Sequence, residues 1–268
     1  MSGISGTLSR IHAMVLRHVY LMRSSWPRLI ELIYWPLVQM LMWGFLQSWL
    51  AETTSGAAFA GGTLIGAVLL WDILMRGQLG FAVSFLEEMW SRNIANILMS
   101  PLRPFEFVLS MATISLIRLM IGLVPVALLA DLFFGFKFWS LGPALALFFS
   151  SLMLTAWAVG LFSAGIILRH GLGAEGVVWS LMFLILPVTC VYYPLSSLPE
   201  PLQWIAVALP PTHVFEGMRA LLLDGTFRGD LMLKAFALNV LYLTSAAAIF
   251  AHFLASARER GTLVQLGE

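Results

Sequence analysis

Charge is what this sequence has least of. Asp, Glu, Lys and Arg make up 11% of its 268 residues, where soluble domains carry about 25%. So few charged groups cannot clothe a globule in water, and a soluble domain is excluded. Cysteine is almost missing too. Cys190 stands alone, which rules out an internal disulfide framework and argues against a thiolate metal site. A basic excess is absent: the net charge is +1 and the arginines are scattered, so no nucleic acid partner is expected. There is no internal repeat and no low-complexity tract. No GxxxxGK[ST] phosphate loop occurs either, so the chain holds no ATPase site of its own and no cofactor is expected on it.

What is present is apolar, at 60% of residues. A bilayer core of about 30 Å needs about 20 apolar residues per helix, and six stretches qualify: 29–50, 63–86, 105–130, 141–168, 177–193 and 231–255. The expectation is an all-α membrane protein in a single domain over 1–268. Ahead of the first span, residues 5–25 repeat Leu8, Ile11, Val15, Val19 and Met22 at helical steps, with Arg10 and Arg17 on another face. That pattern predicts an amphipathic helix in the membrane interface, its arginines toward anionic headgroups of membrane lipid. The same arginines would break the core of a signal peptide. Lys and Arg crowd one side of the spans (Arg10, Arg17, Arg23, Arg28, Arg92, Arg103, Arg169, Arg258, Arg260) over the other (Lys137, Arg219, Arg228, Lys234). The imbalance puts both termini and residues 87–104 in the cytoplasm, and 194–230 outside.

Three features look functional. The first is FLEEMWSRNIANILMSPLRPFEF, a polar island between two apolar runs that keeps its own apolar rhythm through Trp90, Ile94, Ile97 and Leu98. The second is a set of charges inside spans: Asp72 and Arg76, four residues apart, and Arg118 in the next span. Such charges mark function or hold helices together. Counted from span ends at Leu86 and Phe105, Asp72 and Arg118 lie at matched depth, which predicts that they pair. Glu31 and Glu106 sit near span ends, where contact with headgroups is expected. The third is the proline-bounded stretch 194–230, which reads as two short helices, Leu202 to Leu209 and Thr212 to about Gly225, with Thr212 as an N-cap. Tryptophans near span ends, such as Trp26, Trp49, Trp139 and Trp204, read as interface anchors.

The order of these features resembles the type-2 ABC transporter permeases over nearly the whole chain. WSRNIANILMSPLRPFEFVLS resembles the family's cytoplasmic coupling segment, and VYYPLSSLPEPLQWIAVALPPTHVFEGMRALLLDG its outer segment. The resemblance implies a membrane subunit of a bacterial exporter in the cytoplasmic (inner) membrane, powered by a separate ATPase subunit that carries the ATP and Mg. It also implies a second permease copy, a homodimer in preference to a heterodimer. Glu87, Glu88, Arg92 and Asn93 would then fix the register on the ATPase while Trp90, Ile94, Ile97 and Leu98 fill its groove, with Pro101 closing the segment. The alternative of another class is an ion-coupled secondary transporter or channel, on the strength of Asp72 and Arg118, though no inverted repeat or paired broken helices occur. An intramembrane serine protease built on Ser163 and His252 is disfavoured, because GLFSAGI is more simply a close-packing stretch.

Overall fold

The structure, a computed structural model, describes residues 4–53 and 62–259, the side chain of Leu98 excepted. Among these residues there is no strand. Ten α-helices follow in order: α1 (Ile4–Arg23), α2 (Trp26–Thr53), α3 (Thr63–Trp90), α4 (Ile94–Met99), α5 (Pro104–Phe134), α6 (Pro143–His170), α7 (Gly176–Ile185), α8 (Glu200–Val207), α9 (Pro210–Asp224) and α10 (Gly229–Glu259). Five of them, α2, α3, α5, α6 and α10, are long and apolar enough to cross a membrane.

The expected span 177–193 is the exception. Its helix stops at Ile185 and tightens to a 3₁₀ turn over Leu186–Val188. Pro187 has no N–H to continue the ladder, and Cys190 turns the chain at φ 56°. Ten residues rise only about 15 Å, half of a bilayer core.

Helix α3 is the axis. It is the most enclosed of the five long helices, because α5 and α6 flank it at distances only small residues allow. A Cβ on Gly80 would meet the Ser115 backbone at 3.0 Å, one on Gly77 the Ala156 side chain at 2.9 Å, and Gly160 lies equally close to Phe81. Without water between lipid-facing helices, this close packing supplies the association energy. Helix α10 packs along α6, joined by a buried polar knot in which Asn239 Nδ2 donates to the Ser151 carbonyl at 2.9 Å and Thr155 Oγ1 donates to Asn239 Oδ1 at 2.6 Å. Gly165 lies against Phe250 in the same α6–α10 packing, and the Ser163 hydroxyl returns to the Val159 carbonyl of its own helix.

The apolar core divides into two clusters along the axis. One, at the base where α1 and α4 lie, gathers Phe85, Phe107, Ile167, Phe250 and Leu254. The other fills the far half with Leu70, Phe138, Phe148, Phe215 and Met218. Helices α8 and α9 close the far end as the two short helices expected there. Helix α9 begins at Pro210–Pro211, not at Thr212, since proline at the first two positions loses no helical hydrogen bond. Thr212 is therefore inside the helix and caps nothing, while Gly225 at φ 65° ends it.

Candidate functional site

Carboxylates organise the base of the bundle. Glu87 and Glu88 occupy the last turn of α3, and neighbours on a helix point about 100° apart, so each meets a different set of partners. Glu88 is wholly buried and accepts from Arg17 Nε at 2.9 Å, Arg17 Nη2 at 3.0 Å and Asn93 Nδ2 at 2.9 Å. Glu87 accepts from Arg118 Nη2 at 2.8 Å and lies 3.5 Å from Arg28 Nη1. His18 is inserted between the two, 3.3 Å from each. On α5, Glu106 accepts the Arg103 N–H at 2.9 Å, capping the helix, and Arg10 Nη2 at 2.6 Å. That carboxylate holds the Arg10 guanidinium above its ordinary value.

These pairs correct three sequence expectations. Arg10 and Arg17 of α1, expected toward lipid headgroups, turn to the protein. Seven residues apart, Arg10 and Arg17 share a helix face and meet protein carboxylates, whose burial is tolerable only with such partners. Glu106 likewise serves the protein, not the interface. Glu87, Glu88 and Asn93 bond within the chain, so their polar atoms are already satisfied on this side of the segment.

The apolar side of α4 also turns inward. Ile94 is 4% exposed and Ile97 8%, both packed in the base cluster beside Phe85 and Phe107. A six-residue helix has one apolar face, and its own chain covers it. Leu98's side chain lies outside the described residues. The outward face carries Trp90, Ser91, Arg92, Asn96, Met99, Pro101 and Arg103, with Met99 78% exposed. It is mounted on a tight turn in which the Arg92 N–H donates to the Met89 carbonyl and the Asn93 N–H to the Glu88 carbonyl, each at 2.9 Å. Arg92 sits at φ 53° in this turn, where helices usually place glycine. Trp90 Nε1 reaches Glu175 at 3.3 Å.

Of the intramembrane charges, Asp72 pairs with Arg76, the second partner that the four-residue spacing offers, and not with Arg118 as the matched depth predicts. Arg76 Nε lies 3.6 Å from Asp72 on its own helix, and Arg118 turns to Glu87. Two physical reasons account for this. Helix α3 runs four residues beyond Leu86, and the Gly80–Ser115 contact fixes the register, so residue 123 and not 118 lies level with Asp72. Arg118 is thus about five residues, or about 7.5 Å, nearer the base than Asp72. Side chains also lean toward their helix N-terminus. Because α3 and α5 are antiparallel, Asp72 leans to the far end while Arg118 and Glu87 lean toward each other.

Above the base, a cleft of about 580 Å³ opens between α2, α3, α5 and α7. Its lining mixes Arg28, Glu31, Arg76, Glu87 and Arg118 with Trp35, Trp90, Trp179 and Phe183. The volume is that of a site for a drug-sized ligand. Arg76 and Arg118 line it, whereas Asp72 stays behind α3's surface, 1% exposed.

At the far end, Glu216 accepts the Leu195 N–H at 2.9 Å and Arg219 Nη1 at 2.6 Å, and Arg219 also donates to the Cys190 and Val191 carbonyls. Burial lowers the Arg219 guanidinium below its ordinary value, with Glu216 opposing. His213 donates from Nε2 to the Val207 carbonyl at 2.9 Å, and burial pushes its imidazole down. These bonds join α9 to the α7–α8 connection and to α8.

Sequence reasoning missed the α1 network, although its signal was there: basic residues in heptad spacing, opposite three carboxylates at the ends of two spans. It also missed Trp35, Trp179 and Phe183 as one lining, because they come from helices far apart in the chain.

A family model described as ABC-2 type transporter matches residues 11–223, from within α1 almost to the end of α9. No curated protein matches the chain.

Proposed function

From the premise that the chain belongs to the ABC-2 type transporter family and is a membrane component of such a transporter, we propose that it is the permease subunit of an ATP-driven exporter. A separate ATPase binds the outward face of the α3–α5 connection, and a second copy of the chain faces the cleft to complete the path. The base, with both termini, lies in the cytoplasm of a bacterial inner-membrane assembly, as the arginine imbalance favours.

One observation carries the reading: the connection 91–103 is exposed on its outer side yet clamped from within. Trp90, Asn96, Met99 and Pro101 offer an amphipathic surface, of the kind that docks in a groove. Glu87, Glu88 and Glu106 join that surface to α1 and α5, so a push on it moves three helices together. Through the Glu87–Arg118 pair the motion reaches the cleft wall. Ile94 and Ile97 serve by seating α4, and Arg92 by its exposed side chain.

The test uses the chain co-expressed with the ATPase encoded beside it. Met99→Asp places a charge on the exposed face, and Arg92→Gly removes a side chain while suiting the positive φ of the turn. Each variant should remain monodisperse and lose at least tenfold in ATPase co-purification. Full retention of the ATPase by both would sink the assignment of this face.

A further inference from the structure

We infer that the cleft takes an amphiphile with an anionic headgroup, a phosphate or a carboxylate, and that Arg76 receives that group. The inference rests on the reading of the cleft as the start of a transport path, and it names what enters.

Arg76 stands 10 residues from the span end at Leu86, or about 15 Å, near the midpoint of a bilayer core of about 30 Å. Its guanidinium has five N–H donors. Among the described residues none is hydrogen-bonded to the protein: Asp72 lies 3.6 Å from Nε, but Nε and both Asp72 oxygens lack hydrogen-bond partners. Asp72 offsets the charge from behind as an ion pair, and the rest of the guanidinium lies on the cleft wall. An oxyanion in the cleft supplies acceptors in the geometry a guanidinium fits best.

The other cleft charges do not compete for this role. Arg118 and Arg28 both converge on Glu87. Glu31 is exposed and adds one negative charge against the free end of Arg76. The apolar part of the ligand has its own surface. Trp35 on α2 and Trp179 and Phe183 on α7 line the cleft and are 52%, 43% and 62% exposed. They flank the side between the two helices that border it. An alkyl chain resting there would let the headgroup reach Arg76 without leaving the bilayer.

The experiment uses the full chain alone in phosphatidylcholine nanodiscs, with no ATPase present, and reads quenching of its tryptophans by chain-brominated probes. The probes are 11-bromoundecyl phosphate, 11-bromoundecanoate, 11-bromoundecanol and 11-bromoundecyltrimethylammonium. Saturable quenching is expected from the two anions, at midpoints at least tenfold below that of the alcohol, with the cation weakest. Arg76→Gln should remove the anion advantage, and Trp35→Phe with Trp179→Phe should lower the quenching amplitude. If Arg76→Gln does not fold, Asp72→Asn/Arg76→Gln removes both charges together and must give the same loss. Saturation by one anion alone narrows the class to phosphate or carboxylate. Non-saturating quenching, equal midpoints for anions and alcohol, preference for the cation, or an anion advantage that survives loss of Arg76 overturns the inference. Failure here with the ATPase still bound spares the permease reading, and loss of the ATPase with the anion preference intact spares this one.

Discussion

The Glu87–Arg118 pair links the base of the bundle to the cleft, and a double-mutant cycle isolates what it contributes. The two side chains are 12% and 9% exposed, so the pair is a buried one, where removing a single partner strands the other. The structure makes the two losses unequal. Arg118→Gln leaves Glu87 with His18 at 3.3 Å and Arg28 at 3.5 Å, and should cost about 1.5–3 kcal/mol, the range for a hydrogen bond to a charged group. Glu87→Gln leaves Arg118 without its carboxylate inside a membrane cleft and weakens the seat of His18. It should cost about 3–5 kcal/mol, or about 6–10 °C in Tm at about 2 °C per kcal/mol for a chain of this length. The double variant should lie at least about 1 kcal/mol above the sum of the singles. Thermal unfolding in detergent, followed by size-exclusion fluorescence, measures all four corners. Additive losses, or Arg118→Gln costing more than Glu87→Gln, would refute this assignment of partners.

Two further outcomes follow from the packing. Ile94→Asp should abolish the folded, monodisperse protein, since it puts an unpaired charge among Phe85, Phe107 and Leu254; a folded Ile94→Asp that has only lost its ATPase would return this side of α4 to the interface. Gly122→Ala should destabilise by about 1–3 kcal/mol, because the new Cβ would sit 2.4 Å from the Leu32 carbonyl oxygen; an unchanged midpoint of thermal unfolding would show that α2 can move off α5 freely.

The sequence by itself determined the membrane class, five of the long helices and the pair of short helices at the far end. Each follows from local chemistry: a run of apolar residues that must satisfy its backbone internally becomes a helix, and proline or glycine bounds it, as at Pro210 and Gly225. It also marked residues 87–104 as the polar exception between two spans. Only the tertiary structure decided which way each side chain there turns. Periodicity shows that α4 has an apolar face but cannot say whether a partner or the chain's own Phe85 and Phe107 covers it. Depth counted along each helix placed Asp72 opposite Arg118. The register was set instead by one glycine, Gly80, pressed on Ser115, and a shift of a few residues exchanges one ion-pair partner for another. The cleft was invisible for the same reason. Trp35, Arg76, Arg118 and Trp179 are brought together by contacts between helices far apart in the chain, and no spacing along a sequence records them.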